Sequence, residues 1–245
     1  MIFFEELTRS KYKKKIQKHL PKKFQTVEVE ASRGESKVMG GEVGVQREYI
    51  LTSMLKVFFG ESRVKDNIPV REKEIDLYVD NNPISIKTIK SSNIALSPIG
   101  LVWSPREENS KTFIENYEPK YPIMFVNVIW DNSPTKHPKS GRFAECRKFM
   151  KEGGIYYFPV EAQRDILLSL GKEKFFSKMH KHSRAVCISV NATLEIIDHP
   201  KSLCLPIKWQ WKKSISIKAK DRWVKSWNKD IKFKFWETTK ELIFG

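Results

Sequence analysis

Glu48, Asp76 and Lys87 are the residues of this chain whose types and spacing can do chemistry. Asp76 lies in Glu74-Ile75-Asp76-Leu77-Tyr78-Val79 and Lys87 in Ile84-Ser85-Ile86-Lys87-Thr88, with Asp80-Asn81-Asn82-Pro83 between them. Both outer segments alternate apolar and polar residues with period two, and the connector is made of turn formers, so the stretch reads as a β-hairpin. Symmetric pairing about Asn81-Asn82 sets Val79 opposite Ile84 and Asp76 opposite Lys87. Parity sends Ile75, Leu77, Val79, Ile84 and Ile86 to one face, and Glu74, Asp76, Ser85 and Lys87 to the other. A carboxylate beside an ammonium on adjacent strands suits metal-assisted phosphodiester hydrolysis: the acid holds a divalent ion and the lysine supports the attacking water. Glu74 shares the face of Asp76 and competes as a ligand. Asp80 reads as a turn residue.

The third charge comes from the element before the hairpin, a strongly apolar helix over residues 45–59 closed by Gly60. Glu48 lies one turn before Leu51 and two before Leu55, on the flank of the core-facing stripe. A carboxylate aimed at a sheet is costly unless a cation meets it, and a metal shared with Asp76 would do so. The alternative reading is a plain salt bridge from Glu48 to Arg47, Lys87 or Lys90.

The remaining elements follow from periodicity and turn residues. Residues 5–19 read as a basic helix interrupted by Pro21, and 28–42 as a flexible Gly-, Ser- and Glu-rich loop ending Lys37-Val38-Met39-Gly40-Gly41. A strand is expected over 63–70, irregular chain over 91–104 and a short helix over 111–117. Residues 121–130 form an apolar β-prone run long enough for a central buried strand. Further strands are expected over 155–160, 185–190, 193–197 and 205–211, with helices over 162–179 and 220–227. This order predicts an α/β fold, a central mixed β-sheet flanked by helices. It fits a single domain of residues 1–245: a basic helix and loop (1–42), a core (43–130) and a basic Trp/Lys-rich segment (205–245).

Composition limits the partners. The chain has 245 residues, 40% of them hydrophobic and 12% aromatic, enough for a real core rather than a disordered chain. Its formal net charge of +16 points to a polyanion, nucleic acid above all. Cys146, Cys187 and Cys204 form no Cys-x-x-Cys pair, which suits a reducing compartment and indicates neither a disulfide framework nor a zinc site. The apolar start Met1-Ile2-Phe3-Phe4 is too short for a signal peptide, and no run approaches the ~18 apolar residues of a membrane span. A cytoplasmic protein without a membrane partner is expected.

The order of a helix with Glu48, a strand with Asp76 and a strand with Ser85-Ile86-Lys87 resembles the PD-(D/E)XK nuclease superfamily, particularly type II restriction endonucleases, over residues 43–130. The chain departs from that pattern in having no Pro before Asp76, and in having Ser85 where an acid usually precedes the lysine by two positions. The resemblance implies a restriction-endonuclease-like fold and Mg²⁺-dependent hydrolysis of double-stranded DNA to 5′-phosphate and 3′-hydroxyl ends. It makes Asp76 the central metal ligand and Glu48 the source of the missing carboxylate. The Ile86 carbonyl would be a further ligand, Ser85 at most a weak one, and Lys87 the residue that orients the nucleophile. A homodimer acting on a short palindrome is implied, since one site cuts one strand and a two-fold protein matches a two-fold sequence. A cognate DNA methyltransferase belongs to such a system. The Glu–Asp–Lys spacing is also similar to that of ThaI-like enzymes, which implies blunt cutting at CGCG. Two rivals stand beside this reading: a structure-specific or repair nuclease of the same fold, such as a junction resolvase, and a non-catalytic nucleic-acid binder in which Asp76 and Lys87 are a structural ion pair.

Several residues are candidates for gripping DNA. Lysines crowd the first segment at Lys11, Lys13, Lys14, Lys15, Lys18, Lys22 and Lys23. Near the C-terminus, lysines and Arg222 interleave with Trp209, Trp211, Trp223, Trp227 and Trp236, where core packing competes with base stacking. Met39, flanked by Lys37 and Gly40-Gly41, can wedge between base steps. Gln46, Arg47 and Lys90 lie near the expected site, and Arg142, Arg147 and Arg184 can read guanine. His180-Lys181-His182 lacks a third ligand, and Gly153-Gly154-Ile155-Tyr156-Tyr157 reads as a Gly turn entering a strand. No phosphate-binding Gly-x-x-x-x-Gly-Lys-Ser/Thr loop occurs, which argues against an ATP-driven enzyme.

Overall fold

The computed structural model describes residues 2–32, 40–68, 74–90, 98–103, 107–130, 153–177 and 185–210. Helices α1 (Ile2–Thr8), α2 (Ser10–Ser32) and α3 (Gly40–Phe59) precede strands β1 (Val64–Lys65), β2 (Leu77–Val79), β3 (Asn82–Lys90) and β4 (Ile99–Trp103). Then come α4 (Glu107–Glu115), β5 (Ile123–Val128), β6 (Gly154–Phe158), α5 (Val160–Leu170), α6 (Lys172–Phe175), β7 (Ala185–Ile188), α7 (Val190–Asp198) and β8 (Leu203–Pro206).

The run around residue 125 is apolar at every position of β5 but Asn127 because the strand is covered on both faces, and all its residues are buried. Alternate side chains enter two cores. Met124, Val126 and Val128 join apolar residues of α1, α2 and α3, whereas Ile123 and Phe125 join Ala162 and Leu167 of α5 and Ile196 of α7. The sheet between these layers has six strands in the order β1-β2-β3-β5-β6-β8. Only the β3–β5 pair is parallel, so the sheet is mixed, as expected. A separate antiparallel pair, β4 and β7, lies with the second core.

Several elements depart from the expected pattern. α2 runs through Pro21 and on to Ser32 rather than stopping near residue 19. A proline removes one helical hydrogen bond, but Leu20, Pro21, Phe24 and Val27 are buried here, and that packing offsets the loss. Residues 28–32, expected in a loop, are therefore helical, and residues 33–39 lie outside the described residues. Residues 193–197 are part of α7, not a strand. Ser189 caps that helix by accepting the Ala192 N–H at 3.1 Å, and Ala192, Thr193 and Ile196 are buried at helical spacing. The helix expected over 162–179 breaks at Gly171, whose φ of +70° ends α5 and starts α6. Residues 99–103, expected irregular, form β4, while of the strand expected over 63–70 the described residues 63–68 keep only β1. Trp209 is fully buried, its ring 5.4 Å from Phe24 and 5.7 Å from Trp130, so it is core and not a stacking platform. The helix expected over 220–227 lies outside the described residues.

Candidate active site

Turn chemistry fixes where Asp76 sits. Asp80 and Asn81 both have positive φ, 51° and 62°, which gives the two-residue hairpin turn whose twist matches that of the strands. Val79 therefore pairs with Asn82, and Leu77 with Ile84. The pairing is displaced by two residues from symmetry about Asn81-Asn82, which puts Asp76 level with Ser85 rather than Lys87. A displacement of two preserves parity. Ile75, Leu77, Val79, Ile84 and Ile86 are all buried, as the alternation requires. Arg63, just before β1, pins the turn. It donates to Asp80 at 2.6 and 2.7 Å and to Glu6 of α1 at 3.1 and 3.2 Å, and its guanidinium lies 4.9 Å from the Phe59 ring centre.

The Asp76 carboxylate turns between the strands towards β3. Its Oδ2 accepts the Ile86 N–H at 2.5 Å and the Ser85 hydroxyl at 3.2 Å, and lies 3.6 Å from Lys87 Nζ. The Asp76 N–H donates to the Ile84 carbonyl at 3.0 Å. Oδ1 makes no hydrogen bond among the described residues. Both side chains reach solvent, 27% exposed for Asp76 and 20% for Lys87, so an incoming substrate can meet them.

Glu48 approaches from α3. Burial, then the negative charge of Asp76, push its carboxyl from an ordinary 4.5 up to about 7, against the opposing pull of Lys87. It makes no hydrogen bond or ion pair among the described residues. The salt bridge offered as an alternative does not form among the described residues: Arg47 and Lys90 both bind Glu28, and Lys87 pairs with Asp76. A desolvated carboxylate beside a second carboxylate with an unengaged oxygen is a donor set for a hard divalent cation. Such a cation completes its shell from carbonyl, water and phosphate oxygens. No three His, Cys, Asp or Glu side chains converge as a metal cage among the described residues.

The raised Glu48 value has a measurable consequence in metal-free protein. Below pH 4.5 the group is protonated whether folded or unfolded; between 4.5 and about 7 only the folded state keeps the proton. Stability thus falls across that window, by on the order of 3 kcal/mol once both states are ionised. Glu48→Gln should raise the melting temperature in EDTA at about pH 8, and the gain should vanish near pH 4. An equal effect at both pH values would contradict the desolvated placement of Glu48.

A family model described as restriction endonuclease ThaI matches residues 7–229. The chain belongs to that family of restriction endonucleases. A solved structure described as "Restriction endonuclease in complex with substrate DNA" matches with a TM-score of 0.72 and 30% sequence identity, covering 92% of this chain and 99% of that one. A search of curated proteins finds no match.

Around the centre of this ThaI-family restriction endonuclease, the other candidates take different places. Ser85 is buried against Asp76, and Ile86 holds Asp76 through its N–H. Glu74 lines a cleft with Ser85, Lys87, Phe113, Tyr117 and Tyr121. Its charge adds to burial in raising the Tyr117 phenol, so it lies towards Tyr117, whereas Asp76 is the carboxylate that acts on Glu48. Arg47, expected to face DNA, points inward: its side chain is 6% exposed and bonded to Glu28, over the Phe24 ring. Lys90 also reaches Glu28, at 2.6 Å, and is partly exposed. Gln46 is half-buried on α3. Lys37, Met39, Arg142, Arg147, Arg184, Arg222 and the His180–His182 pair lie outside the described residues. Glu28, the residue that organises Arg47 and Lys90, was not anticipated. Its one sequence signal is that it is the first acid after an acid-free run from Arg9 to Val27.

Proposed function

We propose that this chain is a type II restriction endonuclease that hydrolyses double-stranded DNA with Mg²⁺ at a short palindrome. The observation that carries this reading is the desolvated Glu48 beside Asp76 and Lys87, on a chain of this family. Double-stranded DNA as substrate is supported by the structural relative, which is described as bound to its own substrate DNA. CGCG, cut to blunt ends, is the proposed sequence by family similarity. A homodimer is proposed because each centre cuts one strand. A cognate DNA methyltransferase and a cytoplasmic location complete the proposal. Among the described residues no helix is long and apolar enough to cross a membrane.

Asp76 and Glu48, with the Ile86 carbonyl, are the residues that would hold Mg²⁺. When bound, the ion supplies an acidified water and neutralises charge on the scissile phosphate. The protein's own groups do the rest. The Ile86 N–H and Ser85 hydroxyl fix the Asp76 carboxylate by occupying Oδ2, which leaves Oδ1 for the site. Lys87 presents a positive charge and N–H donors to the attacking water and the phosphate. Overall, water delivers its hydroxyl to phosphorus, the bond to the 3′ oxygen breaks, and that oxygen gains the proton.

Incubating the protein with plasmid DNA, in Mg²⁺ or in EDTA, and sequencing the ends tests the assignment. Mg²⁺-dependent fragments that all break in the middle of CGCG are expected. A single different site would replace the sequence and keep the enzyme class. Cutting confined to branched DNA would make the protein a structure-specific nuclease, and retardation without cutting would make it a binder.

A further inference from the structure

We propose that the exposed lysine ridge of α2 is a docking track for the phosphate backbone of DNA flanking the cleaved site. The proposal rests on the restriction-endonuclease reading above and adds a second contact surface to it. Lys11, Lys14, Lys15, Lys18 and Lys22 are all exposed. At about 100° per residue they fall within an arc of about 100°, and they extend over about 16 Å of helix. The opposite side of α2 buries Ile16, Leu20, Phe24 and Val27, so the helix cannot roll the ridge away from solvent. Between Arg9 and Val27 the helix itself carries no Asp or Glu.

Along the helix axis the ridge runs towards the turn of α3 that carries Glu48. The Tyr12 hydroxyl near the start of α2 donates to the Phe58 carbonyl at the end of α3, while Glu28 near the end of α2 binds Arg47 near the start of α3. The two helices are therefore antiparallel, and the C-terminal part of α2 lies beside the turn that carries Glu48. Lys22 is six residues before Glu28, about 9 Å along the helix axis. Successive phosphates of one strand are about 3.4 Å apart along a duplex axis, so the ridge matches the length of about five base pairs. The local potential registers on a neighbour as well. His19 has its proton affinity lowered by burial first, and then by Lys18, Lys22, Lys23 and Lys15. Like charges at helical i, i+4 spacing destabilise the helix that carries them, and a polyanion lying along the row removes that repulsion.

The test is the salt dependence of binding to a duplex of about 40 base pairs, measured by fluorescence anisotropy in EDTA. Each lost phosphate contact should make the slope of log affinity against log salt shallower by about 0.9, so replacing Lys11, Lys14, Lys18 and Lys22 with Gln should make it shallower by about 3.6 per protomer. Affinity at about 0.1 M salt should fall at least about 30-fold. On DNA carrying the mapped site, the footprint should shorten in the flanks while the site stays protected. A control replacing the exposed Lys111, Lys120, Lys174 and Lys201 with Gln removes the same charge elsewhere and should change the slope by less than about 1. A ridge variant with the wild-type slope, or a control with the same loss, overturns the ridge. Wild-type protein that neither binds nor cuts DNA overturns the nuclease reading as well.

Discussion

Asp76→Ala lowers single-turnover cleavage by about a thousandfold or more and leaves DNA binding in place. The expectation follows from what the carboxylate does. One oxygen is consumed in holding position on β3, and the other is left for a ligand, beside Glu48 and Lys87. Removing it deletes the one carboxylate that couples both partners. Asp76→Asn separates holding from chemistry. It keeps an oxygen that can accept the Ile86 N–H but loses the negative charge, so it should fold normally and remain as inactive as the alanine variant. Either change also removes a charge that raises the Glu48 carboxyl, so Glu48 should ionise at lower pH. Substantial cleavage by the asparagine variant would make Asp76 structural and would favour the plain ion pair with Lys87.

Glu28→Ala destabilises the protein by about 3–5 kcal/mol, the cost of leaving a buried cation without its partner. Arg47 and Glu28 are each 6% exposed, and Arg47 Nε already lacks a hydrogen-bond partner among the described residues. Lys90, 41% exposed, can turn to water, so the penalty falls on Arg47. A loss of that size corresponds to a melting temperature lower by about 10 °C for a chain of this length. Glu28→Gln keeps an acceptor and should lose less. Cleavage should fall too, because Glu28 ties α2 to the turn of α3 that carries Glu48 and to the end of β3, the strand of Lys87. A loss under about 1 kcal/mol in the alanine variant would show that water reaches Arg47.

The division of the hairpin into a buried and a polar face was legible because β parity survives an error of two residues. Ile84 and Ile86 are buried and Lys87 faces the site under either register. The register itself was not legible, since it turns on Asp80 and Asn81 adopting positive φ in place of Asn81 and Asn82, and all three residues tolerate turns. Gly60, with φ +85°, closes α3 where its sequence position indicated. Residues 193–197 show the limit of periodicity. The run Thr-Leu-Glu-Ile-Ile is too short to separate helix from strand, and the deciding signal is the Ser189 cap upstream. The pairing of Arg47 and Lys90 with Glu28 was not legible because that partner is distant in sequence. Glu28 lies 19 residues from Arg47 and 62 from Lys90, and only the packing of α2 on α3 brings them together. Pro21 concealed that helix by suggesting a stop where a buried face carries it on.

The most direct test of the shared ion is Mn²⁺ binding to the DNA-bound protein, followed by electron paramagnetic resonance. Wild-type protein should take up Mn²⁺, and Asp76→Asn and Glu48→Gln should each weaken that binding by about tenfold or more. Unchanged Mn²⁺ affinity in the two variants would place the ion elsewhere and contradict a centre built on Asp76 and Glu48.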